Sequence, residues 1–553
     1  MGVLAVYDII GIQNFIFSSN RLAENVGASK LVANIFAGKK VPEAGVLPRV
    51  IKQCTGSIQS KWSEGELDME NLKAEIIYQG GGNAYVAFAD EPLFQKVTEA
   101  FLVKVNKYAP GLGVAVAAIE TDFDNYRDDF DVITDRLTLV KGGFNTPMFA
   151  GNQPITKQSW RTGLPVRYHD DEEKEFMSIC QQEKRNSYKK HKKEEKEGKK
   201  EFEDLVFEKD ADGSISIKKD NDGIKKFEDL VFEKDADSFI AIIHADGNNM
   251  GKRIKDYMGG FESYEEAVPE IRQLVTKIDK CYRDALKRTV NDFKEAYENY
   301  LKETVEDFKE TYEKYLKKQQ AKYPDRIYKI NAPLLELIVD GDDITVLTSG
   351  RFAIDFAARL LRAIEKTEPD KLPFGETPTA SACAGVVLFH SHYPFSEAYK
   401  LAEGLCKRAK YPSRDLDGSY IDFHLHSSGR VESLQQLRSK QYTVDGKSII
   451  KRPWKVPKDI NSKITGDFSW FVENIKNIKE ISQLPKNKTK AIRNAIAEGE
   501  GAVKLAENQL RGKELPKYPD KMYPNESSKY SALFDLLEVC DTYVNLLNDD
   551  IIV

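Results

Sequence analysis

The sequence has no Cys-x-x-Cys pair. Its six cysteines stand singly at 54, 180, 281, 383, 406 and 540. That scatter excludes a cysteine-built zinc module and fits a reducing cytoplasm, where most would act as small buried apolar residues. There is no run of eighteen apolar residues, so no membrane helix is expected. Met1-Gly-Val-Leu-Ala-Val-Tyr-Asp8 lacks the basic start and cleavage site of a signal peptide and reads as a strand. A basic excess is also missing. Lys and Arg number 82 against 88 Asp and Glu, a net charge of −6, which excludes a general cationic coat for nucleic acid but leaves room for local patches. Histidine is scarce. His169-Asp170 sits in a polar loop, too isolated for a phosphohydrolase centre, and His424 and His426 alternate on what reads as a half-buried strand.

What is present centres on residues 334–348. Leu334-Leu-Glu-Leu-Ile-Val339 and Ile344-Thr-Val-Leu-Thr348 flank the tight acidic turn Asp340-Gly341-Asp342-Asp343, as in a buried hairpin. Gly341 suits a positive φ. The turn's carboxylates repel one another, and a bound divalent cation relieves that repulsion; alone, such a turn is ordinary solvated turn chemistry. The upstream strand Phe239-Ile-Ala-Ile-Ile-His244-Ala-Asp246 also ends in a carboxylate. If the two strands are neighbours, ~4.8 Å apart, Asp246, Asp342 and Asp343 could hold two metal ions for phosphoryl transfer. His244 points to the same side as Asp246 and could modulate the site without a catalytic role.

The chain reads as α+β with an internal duplication. Residues 1–150 give strand, helix, hairpin, helix, strand, helix, a ferredoxin-like palm of the nucleotide-cyclase type. The same order recurs over 238–430. In the first copy, Gly80-Gly81-Gly82-Asn83 stands where the second has Asp340-Gly341-Asp342-Asp343. The first palm is therefore read as degenerate, structural or nucleotide-cradling through Gly81 and Gly82, and the second as the catalyst. Residues 151–237 form an irregular, charged inter-palm region, in which Phe202–Asp212 repeats as Phe227–Asp237 and suggests a duplicated hairpin or surface arm. A helical insertion at 264–325 carries an aromatic stripe and reads as a rigid helical hairpin, with a partner or self-association contact as the alternative. Deleting 286–318 would then leave catalysis intact. Residues 431–553 read as a C-terminal helical domain.

A phosphate cradle would come from backbone N–H groups of Gly247, Asn248, Asn249, Gly251 and Lys252, where a strand opens into a helix. The spacing is too short for a Walker A loop. Lys410, expected at the last turn of helix 395–409, could reach a triphosphate as a point charge; alone, a lysine there is more often a surface charge.

Taken together, Asp8-Ile-Ile-Gly-Ile-Gln-Asn-Phe-Ile-Phe17, the Gly-Gly-Gly hairpin, Asp246-Gly-Asn-Asn-Met-Gly-Lys252, Asp340-Gly-Asp-Asp343 and the Ala402…Lys410 helix resemble the large polymerase-like subunit of type III CRISPR effector complexes. Thr162-Gly-Leu-Pro165 and the Leu484-Pro485 helix extend the likeness. The resemblance implies two palms, the second with a Gly-Gly-Asp-Asp motif that turns ATP into cyclic oligoadenylates. By position it makes Asp246, Asp342 and Asp343 metal ligands for two Mg2+ or Mn2+ ions, and Lys410 a triphosphate lysine. Three departures stand out. The family's N-terminal HD nuclease domain is not seen, so DNA cleavage is not expected; the inter-palm cysteine pairs are missing; and Asp340 replaces the first Gly of the motif. Stand-alone CRISPR-type polymerases are a second likeness.

The expectation is a metal-dependent nucleotidyltransferase that makes a second messenger from ATP or another triphosphate, with RNA or CRISPR-complex subunits as partners. The rivals are a non-catalytic nucleotide-sensing scaffold subunit and a diguanylate-cyclase-like enzyme using GTP.

Overall fold

The computed structural model describes residues 1–36, 45–56, 67, 73–143, 156–170, 174–198, 204–209, 215–219, 227–230, 239–304, 308–322, 329–330, 332–366, 372–374, 380–416, 418–458, 467–478, 485–510 and 528–546. The chain begins with β1 (Gly2–Ile10), α1 (Ile12–Phe17), α2 (Leu22–Phe36), α3 (Val46–Thr55), β2 (Ala74–Gly80), β3 (Asn83–Phe88), α4 (Glu91–Tyr108), β4 (Gly113–Thr121) and α5 (Tyr126–Gly143). The strands form one sheet in the order β2-β3-β1-β4, antiparallel throughout. Next come β5 (Val166–Asp170), β6 (Glu175–Ser178), α6 (Ile179–Gly198), β7 (Asp204–Lys209) and β8 (Ile215–Lys219).

The second palm comprises β9 (Phe239–Gly247), α7 (Met250–Met258), α8 (Tyr264–Thr304), α9 (Phe308–Lys322), β10 (Lys329–Ile330), β11 (Leu334–Asp340), β12 (Asp343–Ser349), α10 (Ala353–Glu365), β13 (Ala382–His390), α11 (Phe395–Leu416) and β14 (Ser419–His426). The C-terminal part adds α12 (Leu434–Gln441), β15 (Thr443–Val444), β16 (Lys447–Ser448), β17 (Trp454–Val456), α13 (Phe468–Lys476), α14 (Lys486–Glu498), α15 (Glu500–Asn508) and α16 (Ser531–Val539). The second sheet runs β11-β12-β9-β13-β14-β17, so its first four strands repeat the order of the first palm. Central β9 is apolar on both faces. Ile240 and Ile242 pack toward α11, while Ala241, Ile243 and Ala245 join the cluster that holds α8 and α10. That explains its unbroken run of apolar residues where alternation would mark a half-exposed strand.

The structure departs from the sequence reading in three places. First, α8 is no protruding arm. This 41-residue helix buries Ile271, Leu274, Ile278, Tyr282, Leu286, Phe293, Tyr297 and Leu301, and Phe293 meets Phe352 and Phe356 edge-on at 5.9 and 5.3 Å. Removing 286–318 would excise core. Second, the two copies of the duplicated segment differ. Asp204 and Leu205 lie in β7, whereas their equivalents Asp229 and Leu230 lie in a 3-10 turn, Phe227–Leu230. There Leu230 is buried and Phe227 stacks on Phe395 at 5.0 Å; the rest of the second copy, and Leu484, lie outside the described residues. Third, the C-terminal part is not purely helical, since β17 joins the second palm's sheet beside β14. Its anchor is a buried ionic cluster in which Arg452 pairs with Glu538 and Asp535, and Arg438 with Asp422. No helix among the described residues is long and apolar enough to cross a membrane.

The palms are tied together by Arg272 of α8, which is fully buried. Its Nε donates to Ile77 O at 2.8 Å, and its Nη2 to Glu75 Oε1 at 2.7 Å and Ile76 O at 2.8 Å, all on β2. Arg272→Met is expected to cost about 3–5 kcal/mol, because Glu75 would stay buried without its partner. Adding Glu75→Gln should return part of that loss. Denaturation midpoints of both variants check this, and an unchanged midpoint for Arg272→Met would refute it.

Candidate functional site

β9 and β12 are antiparallel neighbours, and their register sets Asp343 directly opposite Asp246; Asp340 lies opposite Asp343 on the other side. The turn works because Gly341 takes φ 57°. Opposed residues on paired strands share a face, so Asp246 and Asp343 both look toward α11. Lys410 of that helix reaches back, its Nζ 2.6 Å from Asp246 Oδ2 and donating to Gly247 O at 2.8 Å. It does so from mid-helix, since α11 continues to Leu416. Asp342 lies on the other side of the strand end. A Cβ on Gly247 would stand 2.6 Å from Asp342 Oδ2 and 2.6 Å from the Tyr282 hydroxyl, so only glycine fits there.

This crowding sets the electrostatics. Burial, then the charge of Asp246, raises the Asp342 carboxyl from 3.8 to about 6. Burial and the neighbouring carboxylates hold Asp343 well above the ordinary range. Asp343 Oδ1 is buried and accepts no hydrogen bond from the described residues. His244, 3.4 Å away, does not supply that charge, because burial lowers its imidazole to about 4 and keeps it neutral. An orphaned buried carboxylate oxygen among three carboxylates fits a hard divalent cation. A second donor set, His244, Asp246 and Cys406, has its ligand atoms within 4.8 Å of one another and shares Asp246.

The cradle residues divide. Asn248 is a strut: its backbone N donates to Ser381 O at 2.9 Å, and its side chain to Ser381 Oγ and Gly418 O at 3.0 Å. Its N–H is therefore not free for phosphate, contrary to the sequence expectation. Asn249 caps α7 with φ 54°, and Gly251 and Lys252 are exposed on the first turn of that helix. Gly251 faces a cavity of about 870 Å3 between the palms, within the range of ~300–1,000 Å3 usual for small-molecule sites. Asp340, Gly341 and Asp342 line one side of it, and Gln79, Gly80, Gly81 and Asn83 of the first palm's turn another. Gly82 does not line the cavity; a Cβ there would stand 2.5 Å from Ile12 Cδ1. The first-palm wall also carries a run of rings, Tyr78 on Tyr85 at 4.9 Å, Tyr85 on Phe130 at 4.7 Å, and Phe130 against Tyr126 at 4.2 Å. Gln79 Oε1 and Asn83 Oδ1 accept no hydrogen bond among the described residues.

The sequence reading missed two features. In the first palm, Asp8 lies opposite Asn83 as Asp246 lies opposite Asp343, and Lys141 of α5 sits 2.8 Å from Asp8 as Lys410 sits by Asp246. The aligned element order was the signal that could have found this pair. Tyr282 could not have been found, because its place depends on how α8 packs.

Asp342 yields a pH prediction. A carboxyl raised from 3.8 to about 6 favours the folded chain when protonated, and that stability is lost as pH rises through about 6. In chelator, Asp342→Asn should hold its melting temperature across this window better than wild type; parallel curves would refute the shift.

No curated protein matches the sequence. Residues 239–416 match the family described as Cas10/Cmr2, second palm domain. Among solved structures, the Csm1–Csm4 cassette in complex with cA4 is similar at TM-score 0.50 and 11% identity, covering 98% of this chain and 69% of that one. The cassette in complex with AMPPNP is similar at TM-score 0.50 and 12% identity, with the same coverage. The match over residues 239–416 makes the second palm one of the Cas10/Cmr2 second-palm kind, and the shared strand order of the two sheets gives the chain two palm domains.

Proposed function

We propose that the chain is a nucleotidyltransferase that joins ATP into a cyclic oligoadenylate-type second messenger for CRISPR-related antiviral defence. The observation that carries this reading is the placement of Asp342 on the wall of a cavity whose opposite side is the matching turn of the first palm. That gives room for two nucleotides to meet. Csm1–Csm4 cassettes of the same fold bind cA4 and AMPPNP.

Asp246, Asp342 and Asp343 would hold Mg2+ or Mn2+, which when bound supplies Lewis-acid activation of a 3′-hydroxyl and neutralises charge on the leaving pyrophosphate. The chain's own groups do the rest. Lys410 holds a positive charge beside Asp246 that a triphosphate bound there would share. The first turn of α7, with Gly251 and Lys252, presents backbone donors. The ring wall from Tyr78 to Tyr126 offers a stacking face for a base. Gly81, in the left-handed conformation at φ 59°, turns the first palm's hairpin at the cavity wall. Asp340 adds a carboxylate where a glycine would leave space, and it is the residue most suited to alter nucleotide preference.

The test is incubation of purified protein with each triphosphate and Mg2+ or Mn2+, followed by product mass analysis. Pyrophosphate release and a cyclic adenylate are expected. A guanylate product would favour the diguanylate-type reading, and no pyrophosphate from any triphosphate would favour a nucleotide-sensing scaffold. Asp342→Ala and Asp343→Ala should each lower product formation by about a hundredfold or more while the fold survives; undiminished turnover would remove this turn from the active site. Adding Gly82→Asp to Asp342→Ala should restore nothing, since Gly82 takes φ 79° and its side chain would meet Ile12. Recovered product would show the palms to be interchangeable.

A further inference from the structure

α8 touches both sides of the cavity. At one end Arg272 grips the backbone of β2 in the first palm. Eleven residues on, about 16 Å along a helix, Arg283 donates through Nη2 to Val339 O at 2.8 Å, on the strand residue just before the acidic turn. Along this stretch Ile271, just before Arg272, and Val275, Ile278 and Asp279 beyond it line the cavity, at the spacing of one helical face. Val275 packs close against Gly80 of the first palm's turn, 3.1 Å from where a Cβ would stand. On the same face, Tyr282 is fully buried, and its hydroxyl donates to Ser381 O at 3.3 Å. Ser381 O also accepts from Asn248 N. The Tyr282 hydroxyl and the Asp342 carboxylate share the space above the bare Cα of Gly247.

We propose that α8 is the spacer that sets the gap between the two turns, and that Tyr282 is the positioning residue through which it fixes the Asp342 carboxylate over Gly247. This rests on the reading of Asp342 as a metal ligand in a nucleotide-joining site. A spacer is needed because the two turns belong to separate sheets, and no strand pairing sets their distance. A helix clamped at two points by buried or backbone-directed arginines does so. Tyr282 touches the carboxylate's surroundings and no reacting atom, so its effect appears in how well the carboxylate is oriented for a cation.

The experiment compares wild-type protein with Tyr282→Phe, which keeps the ring in the core and removes only the hydroxyl. Mn2+ affinity is measured by calorimetry without nucleotide, and kcat and KM for ATP by product formation. The expected result is Mn2+ binding weakened about tenfold, the lower end of what losing an orienting group costs, with kcat falling and KM within about twofold. Arg283→Gln, at a half-exposed position, should weaken Mn2+ binding in the same direction. Mn2+ affinity unchanged in Tyr282→Phe overturns the proposal, whatever the rates. If wild type forms no product but Tyr282→Phe still loses Mn2+ affinity, the positioning role stands and the synthase reading falls. If both proteins make product equally and bind Mn2+ equally, the reverse holds.

Discussion

Like charge gathered at one strand end is the constraint around which the second palm is built. Asp246, Asp342 and Asp343 stand together where β9 meets the β11–β12 turn, and burial makes their mutual repulsion expensive. The fold opposes that cost with Lys410 against Asp246. It also keeps Gly247 free of a side chain and ties the following residue, Asn248, down through three hydrogen bonds. The remaining deficit, centred on Asp343 Oδ1, which accepts no hydrogen bond among the described residues, is what a cation would relieve.

The first palm keeps the same framework with most of the charge removed. Its turn has the same left-handed glycine, Gly81 at φ 59° against Gly341 at φ 57°, and both hairpins carry a register shift a few residues before the turn. Asn83 replaces the aspartate, and Gly82 replaces Asp342 in a conformation that disfavours any side chain. The Asp8–Lys141 pair persists without the carboxylates that would give it a cation to share. What the first palm offers in their place is a wall of rings. The two palms thus differ in chemistry more than in architecture.

Helix α8 shows why an insertion can become indispensable. Its apolar stripe is read correctly as a helix face, but a stripe does not say what covers it. Here the cover is both palms and α10, and the buried Arg272 is affordable only because β2 presents two carbonyls and Glu75 to it.

The sequence alone determined many of the local elements and named the candidate residues of the site. The unbroken apolar run of β9, the Asp-Gly-Asp-Asp turn and the repeat of strand and helix order are properties of neighbouring residues, and local periodicity and turn chemistry are enough to read them. The adjacency of Asp246 and Asp343 was a condition the sequence left open, and the pairing of β9 with β12 met it. Tertiary structure decided whatever depends on contacts far apart in the chain. It turned Asn248 inward, faced Gly81 toward Asp342 while leaving Gly82 against Ile12, and brought Tyr282 to Gly247. The clearest case is the duplicated Phe-Glu-Asp-Leu segment, a strand residue pair at Asp204–Leu205 and a 3-10 turn at Phe227–Leu230 whose Phe227 and Leu230 are buried. The same residues gave two structures because short segments have weak intrinsic preference, and the surface each packs against outweighs it.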